Sequence, residues 1–225
     1  MIKRIHVVAL AAVGVACCGL AASGADEAKI KLEIELPKAL FTGTPVPVNV
    51  PNVEPPRKGK RPDFMVPAGL ANVARGKTVT ASDSAPIIGE LELLTDGDKE
   101  GSDGSYVEFG PGTQWAQVDL GSAQEIFAIV LWHYHAQGRV YHDVIVQVSE
   151  DASFITGVTT LYNNDTDNSS GRGIGKDFSY VETNEGRLID ARGVKARYIR
   201  GYSRGNTSND LNHYVEVEVY GRPAK

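Results

Sequence analysis

Residues 115–120 read Trp115-Ala116-Gln117-Val118-Asp119-Leu120, and after a short interval the chain resumes with Ile126-Phe127-Ala128-Ile129-Val130-Leu131-Trp132. Both segments are rich in β-branched and aromatic residues, lie next to Gly and Ser, and fall short of ordinary helix length, so both predict strands. The same signature recurs on either side, in Lys77-Thr78-Val79-Thr80-Ala81 before them and in Asp143 to Val148, Ala196 to Tyr202 and His213 to Tyr220 after them. Val144, Val146 and Val148 fall on one strand face, as do Val215, Val217 and Val219 opposite Glu216, Glu218 and Tyr220. Gly, Asn, Asp and Ser fill the intervals, and no helix-length stretch sustains a 3.6-residue apolar period. About eight short strands over residues 67–225 predict an all-β domain, a two-layer sandwich of the jelly-roll type.

The chain before residue 67 is of two kinds. Lys3 and Arg4 precede the apolar run Ile5 to Ala16, and small residues follow through Leu20-Ala21-Ala22-Ser23-Gly24-Ala25. That order predicts a secretory signal peptide over residues 1–25, cut after Ala25, and a product that is secreted, at the cell surface or periplasmic. The run is too short to span a bilayer and breaks at Gly19, Ser23 and Gly24. Both cysteines of the chain, Cys17 and Cys18, lie in it. Lipidation of either is the competing reading, although Gly14-Val15-Ala16 lacks the Leu usual before a lipidated cysteine. Cleavage leaves no thiol, so stability in an oxidising compartment rests on the core, with or without a metal ion. Residues 26–66 begin with alternation in Ile30, Leu32, Ile34 and Leu36, which predicts a half-buried strand, and continue with Pro37, Pro45, Pro47, Pro51, Pro55, Pro56 and Pro62, with Pro67 just beyond. Proline at that density favours extended backbone, either a stiff spacer or a strap over the domain surface. Apolar residues such as Leu40, Phe41, Phe64 and Met65 favour the strap.

The net charge is −5, and residues 67–225 carry 14 basic against 22 acidic side chains. An acidic domain excludes nonspecific binding to nucleic acid or anionic lipid, which requires Lys and Arg to displace counterions.

Six motifs then occur in a fixed order: Asn72-Val73-Ala74-Arg75-Gly76-Lys77-Thr78-Val79-Thr80-Ala81-Ser82, Leu94-Thr95-Asp96-Gly97-Asp98, Gln114 to Gly121, Val144-Ile145-Val146-Gln147-Val148-Ser149-Glu150-Asp151, Ala196-Arg197-Tyr198-Ile199-Arg200, and Glu216-Val217-Glu218-Val219-Tyr220-Gly221. Together they resemble discoidin domains, the C-type domains of coagulation factors V and VIII, over residues 72–221. The resemblance implies a galactose-binding-like jelly roll, a fold used mainly for binding and often attached to carbohydrate-active enzymes. Fold alone does not fix function.

Asp96, Asp98, Glu100 and Asp103 crowd a Gly-containing turn, and hard cations such as Ca²⁺ take six to eight oxygens from such groups. In many discoidin relatives this turn holds a structural Ca²⁺ closed by a Glu of the last strand. The resemblance therefore implies Asp96, Asp98 and Glu216 as ligands, with Ser102 or Asp103 completing the set. Ser105-Tyr106 stands where the family pattern has Thr or Ser followed by Trp. The oxygen-rich run Asn163 to Gly171 has Lys176 at the twelfth position counted from Asp165 and reads as a polar surface loop. Gly171-Arg172-Gly173-Ile174-Gly175 lacks the βαβ context of a phosphate loop.

Two further loops carry binding chemistry. Sugar-binding discoidin relatives commonly use a His, an Arg, an Asn and an aromatic ring on loops at one end. His133, His135, Arg139 and Tyr141 have that chemistry, and so do Arg204, Asn206, Asn209 and Asn212. Guanidinium and amide groups pair with sugar hydroxyls while an aromatic face covers the C–H patch. These residues also admit packing and turn-capping roles, and His133 with His135 could ligate zinc if His142, Asp143 or His213 supplied a third ligand. No Ser nucleophile elbow or His-Glu-x-x-His helix occurs. The expected product is an exported, non-catalytic binding module, with carbohydrate or a surface glycan as ligand and a structural calcium ion. A protein–protein adhesion module with a protein partner is the alternative.

Overall fold

The two predicted strands at 115–120 and 126–132 are one. A computed structural model describes residues 27–41, 43 and 48–225, and in it a single strand, β6, runs over Gln114–His133. The predicted signal segment, with Cys17 and Cys18, lies outside the described residues. In chain order the strands are β1 (Lys29–Lys31), β2 (Met65–Pro67), β3 (Ala71–Asn72), β4 (Thr78–Ala81), β5 (Val107–Phe109), β6, β7 (Ile145–Ser149), β8 (Thr159–Asn163), β9 (Arg187–Ser203) and β10 (Asn212–Pro223), with a 3₁₀ turn at Leu91–Thr95. No helix among the described residues is long and apolar enough to cross a membrane.

Strands β6 and β9 pair antiparallel from Gln114↔Ser203 to Leu131↔Arg187, and this ladder belongs to both layers of a galactose-binding-like sandwich. In the first layer the early half of β6 lies between β4 and the late half of β9, followed by β7 and β8. In the second layer the late half of β6 lies between β9 and β10, and β10 carries β3 and β5. The ladder turns its corner between Asp119↔Tyr198 and Gln124↔Ala196, where Leu120 to Ala123 bulge opposite Arg197 alone. Such a bulge bends a strand and increases its twist. Arg197 grips Asp119 with Nε and Nη2 at 2.7 and 2.8 Å, and the Gly121 N–H donates to the same carboxylate at 2.8 Å. Those hydrogen bonds, Arg197 first, hold the Asp119 carboxyl below its usual range against partial burial. Gly121 has φ +84°, a conformation only glycine adopts freely.

Val118, Ile129, Leu131, Val146, Val148, Ile199, Val217 and Val219 meet between the layers. The opposite face of the second layer is also covered. Ala128, Val130, Trp132, Val215 and Tyr220 pack beneath Leu32, Ile34, Phe64 and Leu70. That second cover is why 126–132 is apolar at every position instead of alternating, as expected for a strand buried on both faces. The Pro-rich segment then follows the stretch before β9: Val53 bridges Ser179, and Glu54 N–H donates to Ser179 O at 2.8 Å. Arg187 Nη1 reaches Glu54 at 2.8 Å, and Arg57 pairs with Glu185 at 2.9 Å.

The strand expected over the Ile30–Leu36 alternation is short. Lys29–Lys31 pairs against Met65–Pro67 and Leu32 N–H still donates to Phe64 O at 2.8 Å, while Ile34 is held by packing. Four pairing segments carried no clear alternation in sequence: β2, β3, β5 and β8.

Trp132 sets a sharp local demand. Its Nε1 donates to Asn184 O at 3.0 Å, and Gly186, at φ +60°, lies against its indole. A Cβ at 186 would stand 2.7 Å from the ring. Gly186→Ala combines a left-handed backbone with an overpacked ring, so urea denaturation should show a loss of about 2 kcal/mol or more.

Candidate functional site

Register brings four loops together at one end of the first layer. Gln114 pairs with Ser203, Ile145 with Tyr202, and Ile145 with Asn163. The turn before β6, the loop after β9, the loop before β7 and the loop after β8 therefore leave the sheet side by side. The loop after β9 is stitched to the loop before β7 by His142 N–H to Gly205 O at 3.0 Å, Arg204 N–H to His142 O at 2.9 Å and Thr207 N–H to Val140 O at 3.0 Å.

Most of the residues assigned to a sugar site build this frame from inside. Asn212 has no exposed surface. Its Oδ1 accepts from Ser203 Oγ and Gly205 N–H, and its Nδ2 donates to Gly110 O and Gly112 O. Asn206 is likewise buried, donating to Asn209 Oδ1 and Leu211 O. His133 is enclosed, stacked on Tyr141 with ring centroids 4.3 Å apart, and its Nδ1 lies 3.2 Å from Glu182 Oε2. His213 joins the Tyr141 hydroxyl at 3.1 Å to Glu108 at 2.9 Å. His135 Nε2 meets Lys99 O at 2.8 Å. Arg139 is 9% exposed and lies over the Tyr134 ring at 4.7 Å. No trio of ligand atoms that includes these histidines converges among the described residues. His133, His135, Tyr141, Asn206 and Asn212 thus offer a surface ligand almost nothing. Arg204 and Asn209 are the exposed members of the set.

The open space lies beside them, a cleft of about 540 Å³ where the four loops meet. Arg204, His142, Asp143, Asn164, Asp167 and Asp210 supply its polar wall. Pro111 and Gly112 come from the turn before β6, and Val50 and Pro51 from the strap. In the sequence, His142 and Asp143 were visible only as further zinc ligands, and 163–171 only as a polar loop. The signal available was positional, since all of them follow or precede a strand end by one to a few residues. Asp143, at φ +51°, has its Oδ2 accepting from Ser169 Oγ at 2.7 Å. Asp143, Asp165 and Asp167 bring carboxylate oxygens within 4.8 Å of one another. Burial raises the Asp143 carboxyl above its usual range, and the charges of Asp165 and Asp167 push the same way.

The turn assigned to calcium lies against the other layer. Asp96 Oδ1 accepts from Asp98 N–H at 2.7 Å, Asp98 accepts from Glu100 N–H and Ser105 Oγ, and Gly97 N–H donates to Glu216 Oε2 at 3.1 Å. Glu216 is fully buried, and its Oε1 has no partner. The neighbouring Lys99 ammonium is taken by Glu218 at 2.8 Å. Burial pushes the Glu216 carboxyl up to about 9, with Glu218 and Asp96 adding to the rise. An orphaned carboxylate oxygen beside an Asp turn fits a hard cation. The carboxylates of Asp96, Asp98 and Glu216 do not converge as closely as the Asp143 trio, so a cation here would complete its shell from backbone oxygens. Ser102 and Asp103 are exposed on the same loop, and no side-chain hydrogen bond ties either to Glu216.

Comparison with known proteins places this geometry. Residues 93–200 match the family model described as F5/F8 type C, NedA-like, galactose-binding domain, so the stretch that spans the Asp96 turn, β6 and most of β9 is of the discoidin type. A search of curated proteins gives no match. Among solved structures, CBM32 of AlyQ in complex with 4,5-unsaturated mannuronic acid is 25% identical, covers 63% of this chain and 92% of its own, and has a TM-score of 0.47. Chitosan-binding module 1 derived from a chitosanase/glucanase from Paenibacillus sp. IK-5 is 25% identical, with 67% and 99% covered and a TM-score of 0.45. A variant of CpGH89 from Clostridium perfringens, in complex with its substrate GlcNAc-alpha-1,4-galactose, is 23% identical over 68% of this chain and has a TM-score of 0.50. The match spans only 15% of that enzyme.

The buried pair His133–Glu182 makes stability depend on pH in two directions. Burial pushes Glu182 up to about 8 from 4.5, so the folded state keeps a proton that the unfolded chain has lost. Its contribution is full below about 4.5 and is lost as pH rises through about 8. Burial lowers His133 to about 3 from 6.5, so its contribution is lost as pH falls below about 6.5 towards 3. Glu182→Gln removes the first titration while keeping the side chain's shape. Urea midpoints measured at pH 6.5 and pH 9 should fall less for this variant than for the native chain.

Proposed function

We propose that this chain, whose residues 93–200 are of the discoidin, galactose-binding-like type, is a non-catalytic carbohydrate-binding module that holds part of a glycan in the loop-end cleft. The observation that carries the reading is the convergence there of an exposed guanidinium, an imidazole and acceptor side chains. Arg204 and His142 line the opening, with Ser169 and Asp210 on the same wall. Planar donors of this kind pair with adjacent hydroxyls. The sugar-bound complexes among the similar structures support a saccharide as the first class to test. Export, with residues 1–25 removed, belongs to the same reading, and so does a structural calcium ion between the 96–105 loop and Glu216.

The cleft's acids support binding over hydrolysis. Asp143 and Asp167 have carboxylate oxygens within 4.8 Å of each other. Both are also tied to Ser169, the first through its hydroxyl and the second through its N–H. Adhesion to a protein partner is the second reading, and it draws on Ile174 and Phe178, 70% and 50% exposed on one segment. Large apolar groups exposed close together mark contact surfaces.

Titration calorimetry against a panel of neutral mono- and disaccharides tests the first reading. Arg204→Ala should weaken binding by about tenfold or more, the scale of one charge-assisted hydrogen bond, with an unchanged melting temperature. Unaltered affinity in that variant, alongside loss of a protein partner in Phe178→Ala, would move the function to adhesion.

Calcium has its own signature. An ion that binds only the folded chain stabilises it by about 4 kcal/mol at a thousandfold excess over its dissociation constant. Millimolar calcium should therefore raise the melting temperature by several degrees over excess chelator, and Asp96→Asn should abolish the difference. Identical melting curves in calcium and chelator would remove the ion from the reading.

A further inference from the structure

We infer that the groove between the strap and the stretch leading into β9 is an anion site, taking a sulfate or phosphate group, free or borne as an ester on a sugar. It shares no lining residue with the loop-end cleft, so it stands or falls independently of the reading above. Arg57, Arg61 and Arg187 line a cavity of about 420 Å³ there, with Pro55, Phe178 and Leu188 as its apolar wall. The first two belong to Arg57-Lys58-Gly59-Lys60-Arg61, four bases in five residues of a chain whose net charge is −5. Lys58 and Lys60 are exposed on the same run. An acidic chain rejects polyanions at large, but a basic cluster this dense still sets the field around itself.

The charges in this groove do not balance. Arg187 meets Glu54 through Nη1 at 2.8 Å, and Arg57 meets Glu185 through Nη2 at 2.9 Å. Among the described residues no Asp or Glu forms an ion pair with Arg61. Its Nη1 donates instead to Glu185 O and Gly186 O, at 2.9 and 3.2 Å, which fixes the side chain without neutralising it. Burial pulls the Arg61 guanidinium below its usual range; Glu185 opposes that, and the charges of Arg57 and Arg187 reinforce it. A partly buried charge without a counterion is costly, and a bound anion removes that penalty. Glu182, the remaining acid of the wall, is pushed by burial up to about 8, so at neutral pH it is protonated and does not oppose an anion.

The number of guanidiniums selects the shape of the anion. Each carries five N–H donors in a planar fork, so unused donors remain on all three. One fork satisfies one carboxylate, whereas three around a cavity suit an anion with three or more oxygens. Arg187 is held in place by the Tyr162 and Tyr180 rings, each centred 4.9 Å from its guanidinium carbon. The cavity far exceeds a single ion, and Phe178, 50% exposed, offers an aromatic surface to whatever carries the charged group.

The test uses the full chain in titration calorimetry at fixed ionic strength. The probes are glucose 6-sulfate, glucose 6-phosphate, inorganic sulfate, inorganic phosphate and a short polyglutamate peptide. The expected result is saturable binding of a sulfate or phosphate probe, weakened about tenfold or more in Arg61→Gln and weakened by added salt. Gln keeps a donor for the two backbone carbonyls, so the variant removes the charge before the anchor. Arg57→Gln, on a side chain 42% exposed, should also weaken binding and serves if Arg61→Gln melts early. Arg192→Gln, on a side chain 83% exposed and outside the groove, should leave the affinity unchanged. Tighter binding of an ester than of its inorganic ion assigns the group to a sugar, and equal binding assigns it to the free ion; either supports the site. No saturable binding by any of the four, or an affinity unaltered in both groove variants, overturns it. Tighter binding of the peptide than of any sulfate or phosphate also overturns it, in favour of an acidic protein partner.

Discussion

Everything in this domain hangs on the pairing of β6 with β9 and on the corner both strands turn together. A ladder confined to one sheet would leave two layers held by side-chain packing alone. Here the backbone hydrogen bonds run from Gln114↔Ser203 in one layer to Leu131↔Arg187 in the other. The layers are therefore covalently continuous through both strands. The bidentate Arg197–Asp119 pair sits where the turn is sharpest. It is partly exposed, and exposed pairs contribute little energy on average. Its role is geometric, fixing which residues bulge and hence which faces of the two halves look inward.

Sequence patterning carried much of this architecture and stopped at definite points. Alternating valines in 144–148 and 215–219 announced strands, although both prove buried on each face, and the six ordered motifs announced the fold. The interval 121–125 carries Gly and Ser like any hairpin turn. Nothing local distinguishes a turn between two strands from a bulge within one, because the difference lies in what pairs opposite, about 75 residues later in the chain. Strands β5 and β8 escaped for another reason. Val107-Glu108-Phe109 is buried throughout and Thr159-Thr160-Leu161-Tyr162-Asn163 is exposed at its start, so neither shows a two-residue period. The continuous apolar run 126–132 did hold a clue to the strap, since a strand buried on both faces needs a cover on each.

Side-chain type alone could not sort the loop residues by role. Asn209 and Asn212 stand three positions apart in one polar run, and one is exposed while the other is fully buried and makes four hydrogen bonds to frame residues. The same ambiguity covers His133 and His142, one stacked in the core and the other at the cleft. Binding loops and the frames that hold them draw on the same amides, hydroxyls and imidazoles, because both must satisfy polar groups where backbone leaves regular pairing. Burial separates the two, and burial here depends on long-range register. The grouping of 133–141 with 204–212 was legible as proximity, which Tyr141↔Asn206 realises. Which of their side chains meet solvent was not.

The position of the last strand bears on the order in which the molecule can assemble. Strand β10 is interior to its sheet, flanked by β3 from the start of the domain and by β6 from its middle. Asn72, near the start of the domain, pairs with Tyr220, almost at the end of the chain. While the chain emerges from a ribosome, β3 and the late half of β6 must wait with open edges until β10 appears. Such long-range closure is slow and leaves strands exposed to mispairing. Glu216 travels on that strand. The Asp96 turn therefore waits through the synthesis of the intervening strands without the buried carboxylate that completes its surroundings, and it acquires its final form only as the domain closes.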